Sequence, residues 1–196
     1  IERMGRNAAA LQADLTDPRQ IQRLIEQAAQ ALGPVDILVN SASSFQRTLF
    51  GQVTVEQWDR LMQTNLRGPF FLAQAVGVEM KRRGAGKIIN LSDATMPYAV
   101  ADFTPYAISK AGIEALTRGL ARALAPEVQV NAILPGAILP ASGGEEAGWE
   151  AAIQANLLKR RGYPEDVVQA VTFLIEQGDF LTGVFLPVDG GRSLGR

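Results

Sequence analysis

Lys87-Ile88-Ile89-Asn90-Leu91-Ser92-Asp93 decides the fold. Its strand core, Lys87 to Leu91, follows the helix breaker Gly84-Ala85-Gly86, and Ser92 and Asp93 stand just past its carboxyl end. Short, nearly continuous apolar runs of this kind belong to strands buried on both faces, as in a parallel sheet; one-sided strands alternate apolar and polar residues. The pattern recurs. Ile37-Leu38-Val39 leads into Asn40-Ser41-Ala42-Ser43-Ser44-Phe45, Val128-Gln129-Val130-Asn131-Ala132-Ile133 leads into Pro135-Gly136, and Val184-Phe185-Leu186-Pro187-Val188 closes the series. A short apolar run at Ala8 to Gln12 is read as a further strand.

Helical segments separate these strands. Asp17 is placed to cap a helix with Pro18 at its first position, carrying Ile21, Leu24, Ile25, Ala28, Ala29 and Leu32 and stopped by Gly33-Pro34. A helix from about Thr54 carries Trp58, Leu61 and Met62, and another runs from near Gly68 to Arg83. The longest is expected from Thr104-Pro105 to Leu124, and a last one from Pro164-Glu165-Asp166 through Ile175. The stretch from Pro135 to Gly148, with Gly, Pro and acidic residues, is expected to be loose and mobile. Strand–helix alternation predicts an α/β fold: a doubly wound parallel sheet with helices on both faces, forming one domain over residues 1–196.

Parallel open sheets bind ligands beyond the carboxyl ends of their strands. Asn40 to Phe45, Ser92-Asp93 and Pro135-Gly136 all fall on that edge, where the helix opened by Tyr106 also begins. Tyr106 and Lys110 are four residues apart and so share a helix face. A buried Lys ammonium beside a phenol favours the phenolate and is expected to lower the Tyr106 pKa, making Tyr106 a candidate proton donor. The same pair also occurs on ordinary amphipathic helices; its place on the sheet edge is what favours the chemical reading.

Composition narrows the chemistry further. A net charge of −1 argues against a nucleic-acid or acidic-membrane surface, and no apolar run is long enough to span a bilayer. No secretory signal opens the chain, and the absence of cysteine fits a reducing cytoplasm. The absence of histidine removes Ser-His-Asp and Cys-His catalysis and, with no cysteine, leaves only carboxylates for zinc; no metal site is expected.

Taken in order, these motifs resemble the short-chain dehydrogenase/reductases, along the whole chain from Asp14 to Val188-Asp189-Gly190-Gly191. The matching pieces are Asp14 after a strand, Asn40-Ser41-Ala42-Ser43, Asn65 in a helix, the strand end at Ser92, Tyr106-x-x-x-Lys110 and Asn131-x-x-x-Pro135-Gly136. The resemblance implies a Rossmann-type fold, a nicotinamide cofactor and hydride transfer. It implies that Tyr106 gives or takes the proton, that Lys110 lowers the Tyr106 pKa and holds the nicotinamide ribose, and that Asn65 helps position Lys110 through water. Asp14 and Leu15 would lie against the adenine, Asn40, Ser41, Ala42 and Ser43 would line the cofactor with Ser92, and Pro135-Gly136 would pass the carboxamide. The family's Gly-rich phosphate loop has no counterpart here, so a first strand–Gly-loop–helix–strand unit of roughly 30 residues or more is expected to precede this chain in the native protein. Without it, a strand at Ala8 to Gln12 would have no hydrogen-bonding neighbour.

One departure narrows the substrate. Where most of the family has Ser, thirteen residues before the Tyr, this chain has Asp93. That substitution, with the loop Asn40-Ser41-Ala42-Ser43-Ser44-Phe45, resembles the pteridine reductase subfamily, although Ser41 replaces the more usual second Asn. The resemblance implies NADPH, a pterin or folate substrate stacked on Phe45 and touched by Ser43, and a proton relay through Asp93 and Tyr106. Asp93 and Phe45 also read as a turn residue and a loop aromatic packed on the core. The alternatives are a carbonyl reductase of the same family and a catalytically silent binding protein on the same fold. Apolar residues on several sides of the helices at Gly68 to Arg83 and Phe103 to Leu124 imply, by the same resemblance, a homotetramer.

Overall fold

The computed structural model describes residues 1–95, 101–140 and 146–195, with backbone alone at 146 and 147. Its strands are β1 (Ile37–Asn40), β2 (Gly86–Leu91), β3 (Val128–Pro135) and β4 (Phe185–Val188), all parallel and paired in sequence order. Its α-helices are α1 (Pro18–Leu32), α2 (Val55–Met62), α3 (Gly68–Arg83), α4 (Thr104–Leu124), α5 (Glu146–Gln154) and α6 (Pro164–Glu176). No helix among the described residues is long and apolar enough to cross a membrane.

The neighbours Ile88 and Ile89 show how the sheet divides the core, because successive strand residues point to opposite faces. Ile88 packs with Ala73, Val76 and Met80 of α3, Ala121 and Leu124 of α4, and Val128 and Val130 of β3, with Ile25 of α1 and Leu38 of β1 alongside. Ile89 packs with Ile133 and with Leu174 of α6, flanked by Val167, Val171 and Leu186. Helices therefore cover both faces, as the apolar runs predict. Lysines tie the layers together. From β2, Lys87 donates to the Ile175 carbonyl at 2.6 Å and pairs with Asp179, closing the end of α6. From α3, Lys81 donates to the Ala123 carbonyl in the last turn of α4 at 2.7 Å. A cation at a helix C-terminus satisfies free carbonyls and complements the helix dipole.

Local signals account for the helix ends. The Asp17 carboxylate accepts from the Arg19 N–H at 2.9 Å and caps α1, while Thr54 and Gln57 form a reciprocal capping box on α2. Gly84 ends α3 at φ 81°, a left-handed conformation that costs a residue with a Cβ.

Two expectations are corrected. Ala8 to Gln12 forms no strand; among the described residues β1 pairs only with β2, and an extended segment without a partner has no ladder. The stretch from Pro135 to Gly148 is not loose throughout, because α5 begins at Glu146; residues 141–145 lie outside the described residues. The helical stretch from 55 to 83 is continuous, but a π-helical turn at Gln63–Arg67 joins α2 to α3.

Candidate active site

Pairing between β2 and β3 continues past the end of β2. The Ser92 N–H donates to the Ile133 carbonyl at 2.9 Å and the Ala94 N–H to the Pro135 carbonyl at 3.0 Å, so Asp93 is held between two fixed residues. Its Oδ1 accepts from the Thr95 N–H at 2.7 Å and the Thr95 hydroxyl at 2.5 Å. Its Oδ2 accepts from the Tyr106 hydroxyl at 2.8 Å. Asp93 is thus both a turn residue and the acceptor for the phenol.

Tyr106 and Lys110 come from the first turns of α4 and are both buried. Lys110 Nζ donates to the Leu91 carbonyl at 3.0 Å and lies 5.8 Å from the Tyr106 ring centre. The buried Ser92 hydroxyl donates to the Lys110 carbonyl, pinning this turn of α4 to the sheet. The electrostatics reverse one expectation. Burial, then the Asp93 charge and hydrogen bond, push the Tyr106 phenol well above its ordinary value rather than below it. Burial also brings Lys110 down to about 8, against the opposing pull of Asp93. Geometry adds to burial: the carboxylate touches the phenol oxygen, while the ammonium is turned to a backbone carbonyl.

Asn65 sits in the π-helical turn and is 1% exposed. Turns of this kind insert a residue and re-aim its neighbours, often at functional sites. Its Oδ1 accepts from the Ser44 N–H at 2.6 Å and, at 3.4 Å, from the Ser43 hydroxyl. Its Nδ2 donates to the Ser44 carbonyl at 2.8 Å and the Ser109 hydroxyl at 3.0 Å. Asn65 therefore ties the loop after β1 to α4, reaching Ser109 beside Lys110 rather than Lys110 itself.

Phe45 is 52% exposed and stacks on Phe103, with ring centres 4.8 Å apart and planes 13° apart. A second ring contact is edge-to-face with Tyr106, also at 4.8 Å. Arg47 donates to the Asp102 carboxylate at 2.6 and 2.9 Å, and the Thr48 N–H to the Asp102 carbonyl at 2.6 Å, latching the loop after β1 to the entry of α4. Phe103, Thr95 and the Arg47–Asp102 pair go beyond the sequence reading. Phe103 lies one helical turn before Tyr106 and Asp93-Ala94-Thr95 is turn chemistry, so both left a signal. Arg47 and Asp102 are 55 residues apart and left none.

The other candidate cofactor residues divide. Asn40 is buried and its Nδ2 donates to Asn90 Oδ1 at 2.9 Å, while Asn90 donates in turn to Thr117. Ser41, Ala42 and Ser43 are exposed at the carboxyl end of β1. Gly136 must lack a side chain, because a Cβ there would lie 2.7 Å from the Asp189 Cα. Leu15 packs against Gly68, three residues beyond Asn65, and the exposed Asp14 carboxylate accepts from the Thr16 N–H within its own turn. Lys110, with one of its three donors on Leu91, and the exposed Ser41 and Ser43 on the same sheet edge are a donor set that fits a ribose.

Comparison with known proteins gives the family and agrees with the fold. The family model described as enoyl-(acyl carrier protein) reductase matches residues 1–193. A short-chain type dehydrogenase/reductase from Picea abies is 32% identical over 195 residues, covering 96% of this chain and 72% of the relative. A 3-oxoacyl-(acyl-carrier-protein) reductase from Thermotoga maritima is 34% identical, covering 91% of this chain and 74% of the relative. Among solved structures, a blue fluorescent protein from a metagenomic library in complex with NADPH is 38% identical with a TM-score of 0.89, over 97% of this chain and 78% of that one. The chain belongs to the short-chain dehydrogenase/reductase family, and its fold and family are those of an oxidoreductase using a nicotinamide dinucleotide.

Proposed function

We propose that this chain is an NADPH-dependent pteridine reductase, acting on dihydropterins such as dihydrobiopterin, with dihydrofolate as a further candidate. The observation that carries this reading is the carboxylate of Asp93 on the Tyr106 hydroxyl. A ring nitrogen taking up hydride at its neighbouring carbon needs a proton, and a Tyr backed by a carboxylic acid supplies one. NADPH, when bound, supplies the hydride.

The residues then divide the work. Tyr106 gives its proton to the substrate nitrogen, and Asp93 passes a proton from Oδ2 to the Tyr106 oxygen. Tyr106 stays neutral throughout, which avoids a phenolate beside a carboxylate, the state that burial and Asp93 both oppose. Lys110 holds the cofactor ribose. The exposed part of Phe45 offers a flat partner to a flat ring, and Ser43 stands two residues away. The exposed Phe70, Phe71 and Val78 of α3 and Ile108 of α4 support packing of subunits into a homotetramer, which size exclusion with light scattering tests.

A second reading, reduction of a ketone, is favoured by the Thermotoga maritima relative, whose name is that of a 3-oxoacyl reductase. Steady-state rates with NADPH and dihydrobiopterin, against a panel of ketones, separate the two. A pterin rate no better than the ketone rates selects the second reading.

A further inference from the structure

Among the described residues, Thr95 supplies both hydrogen bonds on Asp93 Oδ1, and Tyr106 supplies the one on Oδ2. An oxygen that already accepts two donors has no open lone pair for a proton of its own. One of those donors is a backbone N–H held in the turn and cannot swing away. The Thr95 hydroxyl completes the pair at 2.5 Å.

We propose that Thr95 is a positioning residue that closes Asp93 Oδ1 to protons, so that Asp93 exchanges its proton along one line, from Oδ2 to the Tyr106 oxygen. This rests on the Asp93–Tyr106 relay of the preceding section. On that line the Asp93 O–H bond breaks as the Tyr106 oxygen gains the proton, and the Tyr106 O–H bond breaks as the substrate nitrogen gains its own. Asp93 ends as the carboxylate and Tyr106 as the neutral phenol, while the electrons come from the NADPH hydride. Water then returns a proton to Oδ2 of the half-buried Asp93, the oxygen that Thr95 leaves open.

Among the described residues, the ionisable groups that interact with Asp93 are Tyr106 and Lys110 of α4. Elsewhere along the same sheet edge, Arg47 and Asp102 pair with each other, and the Asp189 carboxylate accepts from the Gly191 and Ser193 N–H groups. None of these donates to Oδ1, so the Thr95 hydroxyl has no substitute there among the described residues.

Thr95→Val keeps the backbone donor and the side-chain shape but removes the hydroxyl. A carboxylate that loses a donor is easier to protonate. The Asp93 carboxyl resonance, followed by NMR through its titration in the cofactor-free protein, is expected to move its midpoint up by about one unit. With NADPH and dihydrobiopterin, kcat is expected to fall about tenfold, its alkaline limb is expected to shift upward, and NADPH affinity is expected to hold. Thr95→Ser returns the hydroxyl and is expected to recover the wild-type midpoint and limb, which lost packing alone would not predict. Thr95→Ala carries the same test if valine disturbs the turn. A midpoint and limb unmoved in Thr95→Val, or a Thr95→Ser that behaves like Thr95→Val, overturns the proposal. Because the NMR titration uses no substrate, a wild-type protein that fails to reduce dihydrobiopterin rejects the pterin reading while the midpoint still judges Thr95.

Discussion

The Tyr106 hydroxyl donates to Asp93 Oδ2 at 2.8 Å, and this contact joins the first turn of α4 to the exit of β2. Removing it is the most direct test of the site. Tyr106→Phe is expected to lower the reduction rate by about 10²–10⁴-fold while NADPH affinity stays within a few-fold. Stopped-flow turnover and fluorescence titration with NADPH measure the two. Reduction that survives the change means another group donates the proton.

Asp93→Ser tests what the carboxylate adds beyond a hydroxyl. The variant keeps a small polar side chain near Tyr106 but removes the acid. It is expected to lose pterin reduction by about 10²-fold with little change in NADPH affinity, and to relieve the upward push on Tyr106. Equal losses of pterin rate and cofactor affinity would assign Asp93 to binding or to the turn alone.

Lys110 links the site to stability. Burial lowers its pKa from 10.5 to about 8. Below about 8 the folded and unfolded chains both hold the proton, and the penalty for burying the ammonium is present in full. Between about 8 and 10.5 the unfolded chain keeps a proton that the fold has released, so stability rises with pH. Tyr106 acts the other way above 10.0, where the unfolded phenol ionises first, so the clean window ends there. The unfolding free energy of the cofactor-free protein, from urea titrations, is expected to rise from pH 8 to pH 10 by on the order of 2 kcal/mol, and Lys110→Met is expected to flatten that slope. Parallel slopes in the two proteins would rule the assignment out.

Asn65 is a test of architecture. Its side chain makes four hydrogen bonds from a buried position in the π-helical turn. Asn65→Ala leaves the Ser44 N–H and carbonyl without their partner and is expected to cost about 2–3 kcal/mol in chemical denaturation. Hydrogen exchange at the Ser44 amide is expected to quicken. A loss below about 0.5 kcal/mol would mean that water replaces the side chain without cost.

Much of this fold was legible because its signals are local. The apolar runs at Ile37, Ile88 and Val130 marked strands buried on both faces, and Asp17-Pro18 and Thr54 marked helix starts. Ala8 to Gln12 misled, since a strand exists only where a neighbour completes its ladder. α5 was hidden by the glycines and acidic residues around it. At the site, the spacing of Tyr106 and Lys110 was readable, as was the place of Asp93 just past a strand. The pKa direction of Tyr106 was not, because it depends first on how deeply the phenol is buried and then on the carboxylate that touches it.

The sequence by itself determined that parallel strands carry Phe45, Asp93 and Pro135 out at one edge and that Tyr106 and Lys110 share a helix face. Both follow from short-range periodicity. Only the tertiary structure decided that Asp93 turns one oxygen to Thr95 and the other to Tyr106, that Lys110 points at Leu91, and that Phe45 rests on Phe103. Those are through-space choices of a few ångströms, and three of the four contacts join segments that the chain order keeps apart.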